Sequence, residues 1–290
     1  MGPLVLVIGS SGMAGHVINL TLRMTPGLRV LDVGPRRKAF DSTLLLETRD
    51  TEAVETLLKK TNPDFVINCV GVLIKASEED KLAAIWHNAY FPNFLSQLCA
   101  RDSRKLIHLS TDCVFSGRNG PYKETDFRDG DFVYDRTKAL GEVMTGQDLT
   151  IRTSIVGPEL QASGQGLFSW FITQSGSTKG YTKAYWSGVT TIQLAAFLVY
   201  VITSKPDLSG LIHYATSGGI SKLDLIRIFN DVFRRGIKID PVDSPVSDKR
   251  LIDTRGDFQC RAPQYRAQVA AMKLWIDDHS GLYPHYQARG

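Results

Sequence analysis

The most constraining feature lies at the start of the chain. "PLVLVIG" (Pro3–Gly9) is a continuous apolar run that ends in glycine, and Gly12 and Gly15 follow at three-residue spacing as a helical pattern begins. An uninterrupted apolar strand fits a parallel sheet covered on both faces. A turn of bare glycines lets the backbone approach a pyrophosphate closely, and the free N–H groups and positive end of the following helix favour that anion. The stretch therefore predicts the first βαβ unit of a dinucleotide-binding domain, with Ser11 and Met13 beside the glycines at the cofactor.

The next 150 residues keep the alternation. Strands are expected at "LRVLDV", "PDFVINCVG", "RKLIHLST" and "LTIRTSIVG". Helices are expected at "DTEAVETLLKKTN", opened by Asp50 as a capping residue, at "LAAIWHNAYFPNFLSQLCARD", where Pro92 kinks the pattern or marks a boundary, and at "DRTKALGEVMTG". This rhythm implies an α/β fold, a Rossmann-type doubly wound parallel sheet. It changes after Pro158. The segment "ELQASGQGLFSWFITQSGSTKG" shows no clear strand. A helix is expected near Thr191–Ser204 and another at "SKLDLIRIFNDVFRR", capped by Ser221. The reading is a dinucleotide domain over 1–160 with a return segment at about 188–206, and a smaller mixed α/β substrate lobe from 161–187 and 207–290.

At the end of the second strand the sequence offers two cofactor signals. Asp32 suits a ribose diol, as in NAD(H); Arg36 and Arg37 suit the 2′-phosphate of NADP(H). The arginines favour NADP(H), with NAD(H) left open. A second constellation lies downstream: Tyr134 and Lys138 are four apart and share a helix face. An ammonium near the phenol is expected to lower its pKa and suit it to proton transfer at a carbonyl. Upstream, Ser110 and Thr111 end a strand with hydroxyls that could bind that carbonyl.

The 290 residues are 43% hydrophobic and 22% charged with a net charge of only +4, which argues against a nucleic-acid footprint. No apolar run is long enough to span a membrane. No leader peptide is read at the start, and a cytoplasmic location is the expectation. Cys69, Cys99, Cys113 and Cys260 lack metal-ligand spacing, as do the six histidines.

"LSTDCVFSGRNGPYKETD", "VYDRTKALGE" and "IRTSIVGPE" together resemble the dTDP-4-dehydrorhamnose reductase-like, sugar-nucleotide-binding family of the extended short-chain dehydrogenase/reductases, and "NPDFVINCVG", "HNAYFPNFL" and "WSGVTTIQLA" extend the likeness along most of the chain. The resemblance implies an NADP(H)-dependent oxidoreductase that reduces the keto group of a nucleotide-linked 4-keto-6-deoxy sugar in polysaccharide or deoxysugar synthesis. It implies Thr111, Tyr134 and Lys138 as catalytic residues, with Tyr134 and Lys138 also at the cofactor. Cys69, Val70, Gly71, Asn88 and Ser110 would lie along the cofactor cleft, and Arg152, Thr153 and Ser154 at its nicotinamide end. Lys75, Thr111, Asp112, Cys113, Ile155 and Trp186 would meet the sugar nucleotide, although a packing role suits Trp186 better. Cys113, Ser116 and Ile155 depart from the family's usual Tyr, Asp and Trp, which implies a rebuilt substrate pocket. "DKRLIDTR" (Asp248–Arg255) is a candidate for closing over the nucleotide. A homodimer is compatible with this reading. The rival readings are a sugar-nucleotide epimerase or dehydratase of the same superfamily, and a non-catalytic regulatory subunit similar to the β subunit of methionine adenosyltransferase.

Overall fold

The computed structural model describes residues 2–35 and 39–287. Arg36 and Arg37, the proposed phosphate ligands, lie outside the described residues.

A seven-stranded parallel sheet organises the chain. It contains β1 (Leu4–Ile8), β2 (Arg29–Gly34), β3 (Leu44–Leu45), β4 (Phe65–Asn68), β5 (Lys105–Thr111), β6 (Leu149–Thr153) and the late strand Gly210–His213. β1 is an interior strand, paired with β2 on one side and with the middle strand, β4, on the other. The chain winds outward in both directions from β1, which leaves a crevice at the carboxyl ends of β1 and β4.

The run of apolar residues in β1 is explained by its two neighbours. Val5 and Val7 pack into one core with Val17, Ile18 and Leu22 of helix α1 (Met13–Met24) and with Leu194, Phe197 and Val201 of helix Thr191–Ser204. Leu6 and Ile8, on the opposite face, pack with Val54 and Leu58 of helix α2 (Thr51–Thr61) and with Leu95 and Leu98 of helix Phe91–Arg101. Asp50 caps α2 by accepting from the Ala53 N–H at 2.9 Å.

Pro92 does not break its helix. The helical run continues from Lys81 to Arg101, with a π-helical stretch over Ile85–Tyr90 immediately before the proline. Proline lacks an N–H and its ring crowds the carbonyl four residues back; a wider turn relieves that contact.

The second lobe differs from the sequence expectation in three places. Ser177–Tyr181, within the segment read as strandless, forms a strand paired in parallel with Lys238–Val242. Tyr265–Asp278 is a second long helix there, packed on helix Lys222–Val232 around Phe229, Met272 and Ile276. Gly210–His213, assigned by sequence to the substrate lobe, instead pairs with β6 and forms the edge of the main sheet. A four-residue apolar strand carries too little periodic signal to reveal a partner some 60 residues earlier. No helix among the described residues is long and apolar enough to cross a membrane.

Candidate active site

The glycine turn lies at the crevice. Gly9 has φ +92°, and a Cβ there would press on the Cys69 and Val70 backbone at 3.1 Å. Gly15 is required by close approach: a Cβ would stand 2.1 Å from the Gly9 carbonyl oxygen. Gly12 is exposed and caps α1 without any side-chain partner, so the first N–H groups of the helix face outward. Ser11 and Met13 stand half-buried beside them. Next to this turn a cavity of about 290 Å³ is lined by Gly9, Val33–Pro35, Leu46–Thr48, Val70–Val72 and His87. An adenosine-sized groove beside a helix N-terminus fits the dinucleotide that the sequence implies.

Asp32 is a correction. It is fully buried, and its carboxylate is taken by Arg23 at 2.6 Å and by the Thr43 hydroxyl at 2.7 Å. Strand alternation explains this: Val33, not Asp32, faces the cavity, and Asp32 turns under the sheet to the α1 side.

Thr111 closes β5, and Tyr134 and Lys138 follow on helix Val133–Leu140. The Tyr134 phenol faces Thr111, whose hydroxyl accepts from the Cys113 N–H at 3.1 Å and donates to Asp112 at 3.2 Å. The sequence expectation for the phenol is reversed. Burial raises its pKa well above the ordinary value, reinforced by Cys113, while Thr111 opposes the shift. The Lys138 ammonium donates instead to the Leu109 carbonyl at 2.7 Å. Burial pulls Lys138 down to about 8, against the opposing charge of Glu142. At neutral pH Tyr134 is thus protonated, the form a proton donor needs.

The helix bearing these two groups is held by Asn88. Its side chain accepts from Val72 N–H at 2.8 Å and donates to the Val72 carbonyl at 3.0 Å and the Thr137 hydroxyl at 3.2 Å. Asn88 therefore fixes the Val70–Val72 loop to the Tyr134 helix from behind; its amide is spent on protein. Gly71 lies over it, its Cβ direction 3.4 Å from the Asn88 side-chain oxygen. Cys69 faces Lys138 and is kept a thiol by burial, pushed up to about 12.

Two more residues assigned to the cofactor are diverted. Arg152 is 2% exposed and forks onto Glu142 at 2.6 and 2.7 Å; Ser110 donates to the same carboxylate at 2.7 Å. Arg128 joins at 3.0 Å. Sequence reasoning missed Glu142, although its place four residues after Lys138 was a readable signal. A buried carboxylate between two guanidiniums anchors the helix end and leaves neither Arg152 nor Ser110 free for a ligand. Thr153 is also buried, its hydroxyl donating to the Ser154 carbonyl at 3.3 Å.

On the substrate side, the Thr111 hydroxyl donates to Asp112 at 3.2 Å, and burial pushes the Asp112 carboxyl up against the opposing effect of nearby Lys249, Lys222 and Ser154. Ile155 packs partly buried against the sheet core. Trp186 is a packing residue, 2% exposed and tilted against Tyr265 at 5.7 Å. Lys75 extends into solvent 3.8 Å from Glu79, and the structure gives it no contact with the triad. In its place two lysines from the second lobe face Asp112: Lys222 and Lys249. Lys249 falls in the "DKRLIDTR" stretch; Lys222 carried no sequence signal beyond following a capping serine.

A parallel sheet wound outward from β1, a glycine turn at its switch point and a Thr–Tyr–Lys set at the end of β5 define the extended short-chain dehydrogenase/reductase class. Within it, the family model described as the RmlD substrate binding domain matches residues 4–250. The chain belongs to that family. It is 33% identical over 297 aligned positions to a probable low-salt glycan biosynthesis reductase, Agl14, of Haloferax volcanii, covering 94% of this chain and 98% of that protein. It is 24% identical to methionine adenosyltransferase 2 subunit beta of Rattus norvegicus, over 83% of this chain and 76% of that one. Its fold matches the crystal structure of dTDP-4-dehydrorhamnose reductase from Bacillus anthracis in complex with NADP, at TM-score 0.79 and 17% identity, over 95% of this chain and 100% of that one.

Proposed function

We propose that the protein is an NADP(H)-dependent reductase of the 4-keto group of a nucleotide-linked 4-keto-6-deoxy sugar. The observation that carries this reading is the pair of facing hydroxyls, Thr111 at the end of β5 and Tyr134 on the helix that follows, with Lys138 one turn on. The named reductases among its relatives support it.

A reduced nicotinamide, when bound, supplies hydride to the carbonyl carbon. The protein's share is the proton and the geometry. Thr111 orients the carbonyl oxygen through its hydroxyl. Tyr134, held protonated by burial, delivers its proton to that oxygen. Lys138 shares the helix face of Tyr134 and holds positive charge at the cofactor side of the cleft. Gly9, Gly12 and Gly15 leave backbone N–H groups open to the pyrophosphate. The second lobe carries the sugar nucleotide.

The test is NADPH oxidation over a panel of dTDP- and UDP-linked 4-keto-6-deoxy sugars. Turnover is expected with at least one, and Tyr134→Phe should cut kcat by about 10²–10⁴-fold with NADPH binding unchanged. Undiminished activity in that variant defeats the proton-donor role. NADPH binding without turnover on any member would favour the regulatory-subunit reading.

A further inference from the structure

Lys138 and Glu142, four residues apart, reach consecutive residues of one strand. The Lys138 Nζ donates to the Leu109 carbonyl at 2.7 Å, and the Glu142 carboxylate accepts from the Ser110 hydroxyl at 2.7 Å. Thr111, the next residue of β5, faces Tyr134. Three successive residues of the strand are thus met by three side chains of the segment Tyr134–Glu142. The helix cannot slide along the strand without parting one of these pairs.

The Glu142 side chain is fully buried, and its carboxylate is held from three sides, by Ser110, by the Arg152 fork and by Arg128. Arg152 is itself fixed. Its Nη1 donates to the Glu124 carbonyl at 3.1 Å and to His213 Nε2 at 3.2 Å, and its guanidinium carbon lies 5.0 Å over the Phe115 ring. A carboxylate so constrained is a stationary negative charge, one turn beyond the Lys138 ammonium.

Lys138 needs such a charge. It is 4% exposed, and the acceptor it reaches is a neutral carbonyl. Burial without a countercharge favours the amine over the ammonium. The other titratable groups that face it supply none: the Cys69 thiol just past β4 and the His108 ring of β5 are kept neutral by burial, and Tyr134 on the same helix is protonated.

Resting on the reading of Lys138 as the charged partner of Tyr134 in carbonyl reduction, we propose that Glu142 is a positioning residue for that reaction: clamped by Ser110, Arg152 and Arg128, it supplies the countercharge of the Lys138 ammonium and holds the Tyr134 helix in register with the end of β5. Ser110 and Arg152, which the sequence placed at the cofactor, then act on it at one remove, by fixing Glu142.

Protein labelled with [ε-13C]lysine tests this by NMR with no substrate present, the Lys138 resonance being identified by its loss in Lys138→Met. As pH is stepped, that resonance should titrate near pH 8 in the parent. Glu142→Gln should move the midpoint down by about one pH unit or more, the effect of losing a neighbouring opposite charge. Arg128→Met, at a partly exposed side chain, removes one of the two cations sharing the carboxylate and should move the midpoint up. The alkaline limb of kcat/KM should follow the midpoint in both variants, since activity that needs the ammonium is lost as pH rises through its pKa. A Glu142 that merely holds the fold together would lower kcat at every pH and leave midpoint and limb in place, and that result overturns the proposal. If Glu142→Gln does not fold, Arg128→Met decides alone, and an unmoved midpoint there overturns it. If the parent turns over no keto sugar, the reductase reading fails separately, and the shifted midpoints still uphold Glu142 as the countercharge of Lys138.

Discussion

Gly15 and Asp32 show how differently two sequence signals fare at the level of single residues. Alanine at Gly15 would gain about 1 kcal/mol of helix propensity. Its Cβ would also stand 2.1 Å from the Gly9 carbonyl, a backbone atom that cannot swing aside. Overpacking of this kind costs about 1–3 kcal/mol or more, so the clash wins. Gly15→Ala should lower stability in denaturant titration and weaken NADPH binding; a variant as stable as the parent would show that α1 can shift freely. The glycine was readable because its reason is local, a turn between neighbouring elements. Asp32 was misread because its reason is not. Its partners are Arg23 on α1 and Thr43 beyond β2, and no spacing rule announces such a pair.

Among the elements, the helical run Lys81–Arg101 was legible in extent, and its Pro92 was flagged, but the π stretch that accommodates the proline was not. Pro92 has no N–H for the Asn88 carbonyl, and that oxygen is approached instead by Gly141, whose Cβ direction lies 1.9 Å from it. Gly141 has φ −82°, a conformation any residue adopts, so the need for glycine here is purely one of space. Gly141→Ala should therefore cost about 1–3 kcal/mol and disturb the Tyr134 helix that it terminates. The check is a fall in both melting temperature and kcat; a loss of neither would mean the two helices can separate without consequence. The strands Ser177–Tyr181 and Gly210–His213 stayed hidden because pairing decided them, at long sequence separation and with little alternation of their own.

For the molecule as a whole, two neutral histidines join distant parts of the chain. His16 donates from Nδ1 to the Gly12 carbonyl at 2.8 Å and accepts at Nε2 from the Tyr283 hydroxyl at 2.8 Å, which in turn accepts from the Trp275 indole at 3.0 Å. His213 donates from Nδ1 to the Ile252 carbonyl at 2.9 Å and accepts from Arg152 at 3.2 Å. Each is filled as a neutral ring, and burial lowers each from 6.5 to about 4. Between those values the unfolded chain binds the extra protons, so stability falls as pH drops from about 6.5 towards 4, by about 1.4 kcal/mol per unit for each ring. His16→Gln should flatten that slope by about one proton in denaturant titrations at stepped pH. An unchanged slope would show that His16 already carries charge in the folded state. The same pairing joins the cofactor turn to the Tyr283 segment.

The sheet edge at Gly210–His213 also bears on how the protein is made. A ribosome delivers residues in order, and by the time β6 has emerged its outer row of peptide groups has nothing to pair with for another 57 positions, from Thr153 to Gly210. During that interval the nascent chain presents an open, apolar strand border of the type that neighbouring polypeptides adhere to. The main sheet is completed only after translation has passed the first segment of the second lobe.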